Sequence, residues 1–378
     1  MAGKALPQSL SLKERDEPLV QTVDHNGVPY IKRMADVFSS KFPMSGTVTA
    51  VTDRTVTVKS PEGQEHTTKL VNNLPFNMKG FHDDDAHVFK VGDKVEAGQT
   101  VADNNYTKNG KLSLGKNLHT AYMAYKGFNN EDGIVVSRSA AESMTSNHAY
   151  KESYTASKST VMDTNRFRAN FGSKYSPQQL TGFDSKGIPS KGRKLNYGDP
   201  IALIMEERQQ TDTDKMLGKL HKTLVSPFRD SSIIWSHHEI GEIVDVEWTG
   251  KDLRILVRAE KKLVVGDKIS GFHGNKSVVS LILDDDEMPH SKTTGKSVDM
   301  LLNPASVTSR INLGQILEAS AGKIAQKTGV PYLVKNYGEK SNIQKVKDDL
   351  VAHGLSDTEE IYDPKTGVTY NEKVLTGL

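Results

Sequence analysis

The sequence predicts a mixed, mainly β protein of barrel or sandwich type with a few helices, and three observations carry that reading. Two stretches alternate apolar and polar residues about a turn: GTVTAVTDRTVTVKS from Gly46, and GEIVDVEWTGKDLRILVRAEKKLVV from Gly241. Period-2 alternation interrupted at Thr52-Asp53-Arg54 and at Thr249-Gly250-Lys251-Asp252 reads as two β-hairpins. A glycine-centred phrase appears three times, as VGDKVEAGQTVAD from Val91, KGRKLNYGDPIALI from Lys191 and VGDKISGFHGNKSVVS from Val265. Each copy reads as a strand end, a tight turn that needs glycine's positive φ, and a new apolar strand. Helix signals are sparser, which favours a barrel or sandwich over βαβ units.

Taken in order, residues 1–45 are polar and proline-punctuated and predict an extended arm. Residues 46–138 and 231–342 carry the hairpins and read as two parts of one β region. Between them, residues 139–230 are rich in Ser, Thr, Asn, Gln and Lys, and predict a mobile peripheral insertion with a small β element near 187–206. INLGQILEASAGKIAQKTG predicts a helix opened by Asn312 with Gln315 three residues on. Its buried face is Ile316, Leu317, Ala321, Ile324 and Ala325, and Gly329 followed by Pro331 ends it. Within the last segment, 343–378, IQKVKDDLVAH predicts a second, shorter helix.

Composition narrows the function classes. The 378 residues allow two or three domains, and 36% hydrophobic with 25% charged residues describe a water-soluble globular chain. Net charge is only +2, so any polyanion must meet a local basic patch. The absence of cysteine excludes disulfides, thiolate zinc sites and cysteine nucleophiles together. No apolar signal core opens the chain and no apolar run approaches 18 residues, so the expected location is cytoplasmic, without a membrane partner.

The chemistry concentrates in GDKISGFHGNKS, residues 266–277. It imitates a nucleotide-hydrolysing P-loop, but Asn275 separates glycine from lysine where that motif needs them adjacent. The following SVVSLIL is strand-like rather than the opening of a helix. A lipoyl- or biotin-type carrier is disfavoured too, because no exposed hairpin tip carries a modifiable lysine beside Met or Asp. What remains is Lys268 and Lys276 flanking a glycine-rich turn, with Gly271, His273, Gly274 and Asn275 between them. Compact ammonium charges beside accessible backbone suit a phosphate. Arg310, with Ser309 before it, stands just ahead of the expected helix N-terminus, a further anion-binding feature.

Three segments in one order resemble the β-type, second-largest subunit of multisubunit DNA-dependent RNA polymerases: KGFNNEDGIVVS (126–137), GDKISGFHGNKSVVS (266–280) and VDMLLNPASVTSRINLGQILE (298–318). Weaker similarity runs from KALPQSLSLKERDEPLVQT to IYDPKTGVTYNEK. The resemblance implies a double-psi β-barrel core with a flap-like β insertion at 139–230. It implies that Lys268 and Lys276 contact phosphates of the RNA 3′ end and incoming nucleotide, and that Arg310 contacts the triphosphate. Glu131 and Asp132, which the residues alone would class as surface acids, are implied to lie near a second, nucleotide-borne Mg2+. The family usually has Arg at Phe272, Gly at Ser277, Phe at Asn130, and Gly and Pro at Ser306 and Thr308, so local geometry and fidelity are where this chain should differ. Its length relative to the family suggests one part of a split subunit, resembling polymerases of large bacteriophages, with host cytoplasm or virion as location. A truncated chain would look the same.

A primary metal needs clustered carboxylates. Asp83-Asp84-Asp85 and Asp284-Asp285-Asp286-Glu287 are consecutive acids whose side chains diverge on an extended chain, and read as solvated faces. His82 and His87 supply no matched third ligand. The family places those aspartates on the β′-type partner, so this chain is expected to supply cations and to be inactive alone. Expected partners are a β′-type subunit or its fragments, other fragments of a split β-type subunit, DNA template, RNA transcript, nucleoside triphosphates and a promoter-specificity factor. The competing class is a non-catalytic barrel module that binds nucleic acid or regulates a host polymerase.

Overall fold

The computed structural model describes residues 8–76, 79–85, 89–208, 227–335 and 342–378. Strand content of 37% against 18% helix bears out the mainly β expectation. The chain divides into two compact units. One comprises 1–72, 82–146 and 262–378; the other comprises 73–81 and 147–261.

The first unit is built on a seven-stranded sheet. Its strands are β1 (Thr120–Tyr122), β2 (Gly133–Ser137), β3 (Lys268–Ser270), β4 (Lys276–Leu283), β5 (Met300–Leu302), β6 (Thr358–Glu359) and β7 (Val374–Gly377). The spatial order is β3-β4-β2-β5-β1-β7-β6, and among the described residues β3 and β6 are its open edges. Two parallel pairs, β2 with β4 and β1 with β5, flank the antiparallel pair of β2 with β5. Side-chain direction alternates along these strands, and at the centre of the sheet both faces are covered. Ala121, Val135 and Leu301 enter one core; Tyr122, Ile134, Val136 and Leu302 enter the other. A sheet buried on both faces explains why β2 reads as an unbroken apolar run, Ile134-Val135-Val136.

Helix α1 (Pro304–Ser309) and helix α2 (Leu313–Thr328) follow β5. Gly329 ends α2 in the left-handed conformation at φ 73°, as the sequence predicts. Small residues let α2 lie directly on β7: a Cβ at Gly377 would sit 2.3 Å from the Ala319 carbonyl oxygen, and one at Gly322 would sit 2.4 Å from that of Leu378. The cap differs from expectation. Asn312 makes no side-chain bond into α2, and its Nδ2 points instead to the carbonyl oxygen of His273, 3.5 Å away. The 46–60 hairpin forms as predicted, with Thr52 opposite Thr55.

Two other expectations are corrected. The proline-punctuated arm contains a helix, Tyr30–Phe38, because Ala35 and, just after it, Phe42 find full burial. Asp84 is not solvated; it is 6% exposed, accepts from the Val71 amide at 2.8 Å and pairs with His82 at 2.8 Å. His87 and the Asp85 side chain lie outside the described residues. Arg310 stands just ahead of α2 as expected, and is also the C-cap of α1.

The second unit extends to Lys261, past the 139–230 bounds read from the sequence. The Gly241–Trp248 and Asp252–Lys261 hairpin pairs into a sheet with Ser146–Thr155 and Lys194–Leu195, which draws it into this unit. Trp235, Leu195, Ile201, Ile243, Ile255 and Val257 make a core there, and the Trp235 indole N–H donates to the Glu239 carbonyl at 2.8 Å. In all three glycine phrases the first glycine has positive φ, 100° at Gly92, 81° at Gly192 and 94° at Gly266. Each of those amides donates to a strand across from it, at Val48, Ile243 and Val279.

Candidate functional site

Lys268 and Lys276 stand on one face of the β3–β4 hairpin. The register places Lys268 opposite Val278 and Ser270 opposite Lys276, so residues 268, 270, 276 and 278 share a side. Ile269, Ser277 and Val279 turn to the other, covered side. The lysines are therefore diagonal neighbours, with backbones roughly 7–8 Å apart. Both are exposed, and among the described residues neither ammonium has a carboxylate partner. Between them the chain makes a tight turn: the Gly274 amide donates to the Gly271 carbonyl at 3.0 Å, and the Asn275 side chain covers Gly271 so closely that a Cβ there would be 2.4 Å from Oδ1.

The acidic pair arrives beside this hairpin because β2 runs parallel to β4. Gly133 pairs with Val278, and the Val278 amide donates to the Asp132 carbonyl at 2.8 Å. The loop before β2 is held from inside by Asn129. Its buried side chain accepts from the Tyr125 amide at 2.8 Å and donates to the Met123 carbonyl at 2.7 Å. Gly133 has no room for a side chain, since a Cβ would meet the Phe128 carbonyl oxygen at 2.8 Å. Glu131 takes φ 51°, an uncommon conformation for a non-glycine residue.

Arg310 reaches the same place from the end of α1. Its Nη2 lies 2.5 Å from Asp132 Oδ1, with both side chains about half exposed at 49% and 44%. That contact holds the Asp132 carboxyl below the usual range, and the Asp132 charge raises the Arg310 guanidinium in turn. Ile311, next to Arg310, has φ 52° and is 81% exposed. Ser309 bonds back into α1 through Ser306, and no contact brings its hydroxyl to the lysines.

His273 turns toward α2. Its Nε2 is 2.9 Å from Glu318 Oε2, and a Cβ at Gly314 would meet the imidazole at 2.8 Å. The first turn of α2 is also anchored by Gln315, which hydrogen-bonds the Tyr122 hydroxyl; burial pushes that phenol up to about 12. Glu318, Gly314 and Asn129 were missed from sequence. The spacing of Gly314 and Glu318 by four residues on a predicted helix was the available signal.

The structure thus places Lys268, Lys276 and the Glu131-Asp132 loop at or just before neighbouring strand starts of one sheet, with Arg310 joined to them through Asp132 from the end of α1. Such an array can neutralise and orient phosphate oxygens. Among the described residues no group of three or more His, Asp or Glu could hold a metal. Glu131 and Asp132 fit a lesser part, since magnesium carried on a nucleotide takes one or two carboxylates besides phosphate. No described helix is long and apolar enough to cross a membrane.

The segments that carry these lysines and the acidic loop are the ones whose sequence resembles β-type subunits of multisubunit RNA polymerases, and comparison with known proteins bears that resemblance out. The profile of the family described as RNA polymerase Rpb2, domain 6, matches residues 39–378, and the chain belongs to that family. It is similar over its whole length to a DNA-directed RNA polymerase subunit beta from Acetivibrio thermocellus, at 28% identity over 31% of that protein. The subunit beta of Treponema denticola is 30% identical over 77% of this chain and 26% of its own length. That of Leifsonia xyli subsp. xyli is 31% identical over 86% of this chain and 29% of its own. The chain thus spans between about a quarter and a third of the relatives it matches.

Proposed function

We propose that this chain supplies the β-type side of the nucleotide-addition centre in a multisubunit DNA-dependent RNA polymerase. The observation that carries the reading is the pair of exposed lysines on one face of the β3–β4 hairpin, beside the strand start that bears Glu131 and Asp132. Lys268 and Lys276 hold phosphates of the RNA 3′ end and the incoming nucleotide, and Arg310 holds the triphosphate. The Arg310–Asp132 ion pair keeps the guanidinium oriented before nucleotide arrives. The parallel pairs flanking an antiparallel one support reading the sheet as the β-side double-psi barrel. The second unit takes the part of the flap.

Nucleotide addition is an in-line phosphoryl transfer, in which charge accumulates on the transferring phosphate oxygens. Fixed cations stabilise that charge without reorganising. Mg2+, with its primary site on the β′-type partner and a second ion carried by the nucleotide, supplies Lewis-acid stabilisation of attacking and leaving oxygens. Glu131 and Asp132 would hold the nucleotide-borne ion beside its phosphates. The chain is inactive alone and works with the β′-type subunit, the remaining β-type segments, template DNA, transcript and nucleotides. Lys276→Ala is expected to slow addition by about 10²-fold or more, as loss of a positioned oxyanion donor does. A wild-type rate in that variant removes Lys276 from the centre and moves a non-catalytic nucleic-acid-binding module ahead.

A further inference from the structure

We infer that Glu318 and Gly314 of α2 are positioning residues for the phosphate-binding loop, acting through His273. The inference rests on the function proposed above. Three positions of one helix start converge on that histidine. Asn312 Nδ2 reaches its carbonyl oxygen at 3.5 Å, Gly314 leaves its ring the space a Cβ would take, and Glu318 Oε2 lies 2.9 Å from its Nε2. The backbone hydrogen bonds within the turn, Gly271 with Asn275 and Gly274, close it on itself. His273 ties the turn to another element. That element begins three residues after Arg310. One imidazole thus links the loop carrying Lys276 to the helix that follows Arg310, and fixes the ammonium and guanidinium groups relative to each other.

The link is half-exposed, with side chains 33% and 29% accessible, so its loss costs little stability. Its effect falls on geometry, where a displacement of about 1 Å lowers a rate by up to roughly 10²-fold. The test is single-turnover nucleotide addition by the polymerase complex containing the full chain. Rate at saturating nucleotide, half-saturating concentration and melting temperature are measured separately. Glu318→Ala lowers the saturating rate about tenfold with melting unchanged. Glu318→Gln, whose amide oxygen accepts the same hydrogen bond, stays within about threefold. Gly314→Ala lowers the rate by pushing on the imidazole, and adds nothing once His273→Ala has removed the ring. A wild-type rate in Glu318→Ala, equal damage from Glu318→Gln and Glu318→Ala, or a Gly314→Ala effect that persists without the imidazole overturns the inference. Lys276→Ala in the same assay separates the two levels. If it collapses the rate while Glu318→Ala does not, only the positioning role fails; if it does not, the underlying function fails.

Discussion

Replacing Lys323 by methionine strands a carboxylate inside the first unit. The Lys323 ammonium lies 2.7 Å from Glu359 Oε1 and donates to the Thr376 hydroxyl at 2.6 Å and the Ser356 carbonyl at 2.9 Å. Glu359 also accepts from the Ser291 hydroxyl. The two charged side chains are 8% and 9% exposed, too dry for water to replace the lost partner. Removing one member of a buried ion pair costs about 3–5 kcal/mol. For a unit of this size that lowers the melting transition by roughly 6–20 °C. Lys323→Met/Glu359→Gln removes both charges and is expected to recover most of the loss. Burial alone would raise the Glu359 carboxyl, but the Lys323 and Ser291 hydrogen bonds override it and hold it below the usual range. A depressed carboxylate contributes stability above its unfolded value, about 4.3, and loses it as pH falls through the folded one. Wild type should therefore lose more stability than Lys323→Met in that acid window. The assay is thermal unfolding followed by circular dichroism across pH. A Lys323→Met transition within about 1 kcal/mol of wild type, or a double variant no better than the single, refutes the reasoning.

Two further predictions concern packing and backbone. Trp235→Ala should cost the second unit about 3–5 kcal/mol, because the indole is fully buried at the centre of its core. Hydrogen exchange should show the loss in 147–261 and leave β2 and β4 protected. Ile311→Asn should stabilise the first unit by about 1 kcal/mol, since a β-branched residue at φ 52° is strained and its side chain is mostly in solvent; an unchanged or lower melting temperature would count against that strain.

Local patterns were legible where local chemistry decides them. The hairpins follow from period-2 alternation and turn residues, and α2 follows from its apolar face and the left-handed Gly329. The position of the lysines at the two ends of a glycine-rich turn was legible because charge beside glycine at element ends is a short-range feature, and that of Arg310 followed from the helix start at Asn312. Long-range pairing was not. The Tyr30–Phe38 helix is strongly amphipathic but only nine residues long, and its pattern was overlooked in a proline-punctuated stretch. In the second unit the core draws on strands of two to ten residues and on loop residues between them, which leaves a polar-looking sequence over a packed interior. Asp84 and Asn312 found partners far along the chain or outside the expected cap, and Glu318 became visible only when α2 met the loop at His273.

RNA-primer extension on a DNA template, by the complex that assembles on this chain, tests the central claim most directly. The account predicts that wild type extends, and that Lys268→Ala/Lys276→Ala retains its large partners and template yet fails to extend. Extension by the double variant at the wild-type rate would contradict it.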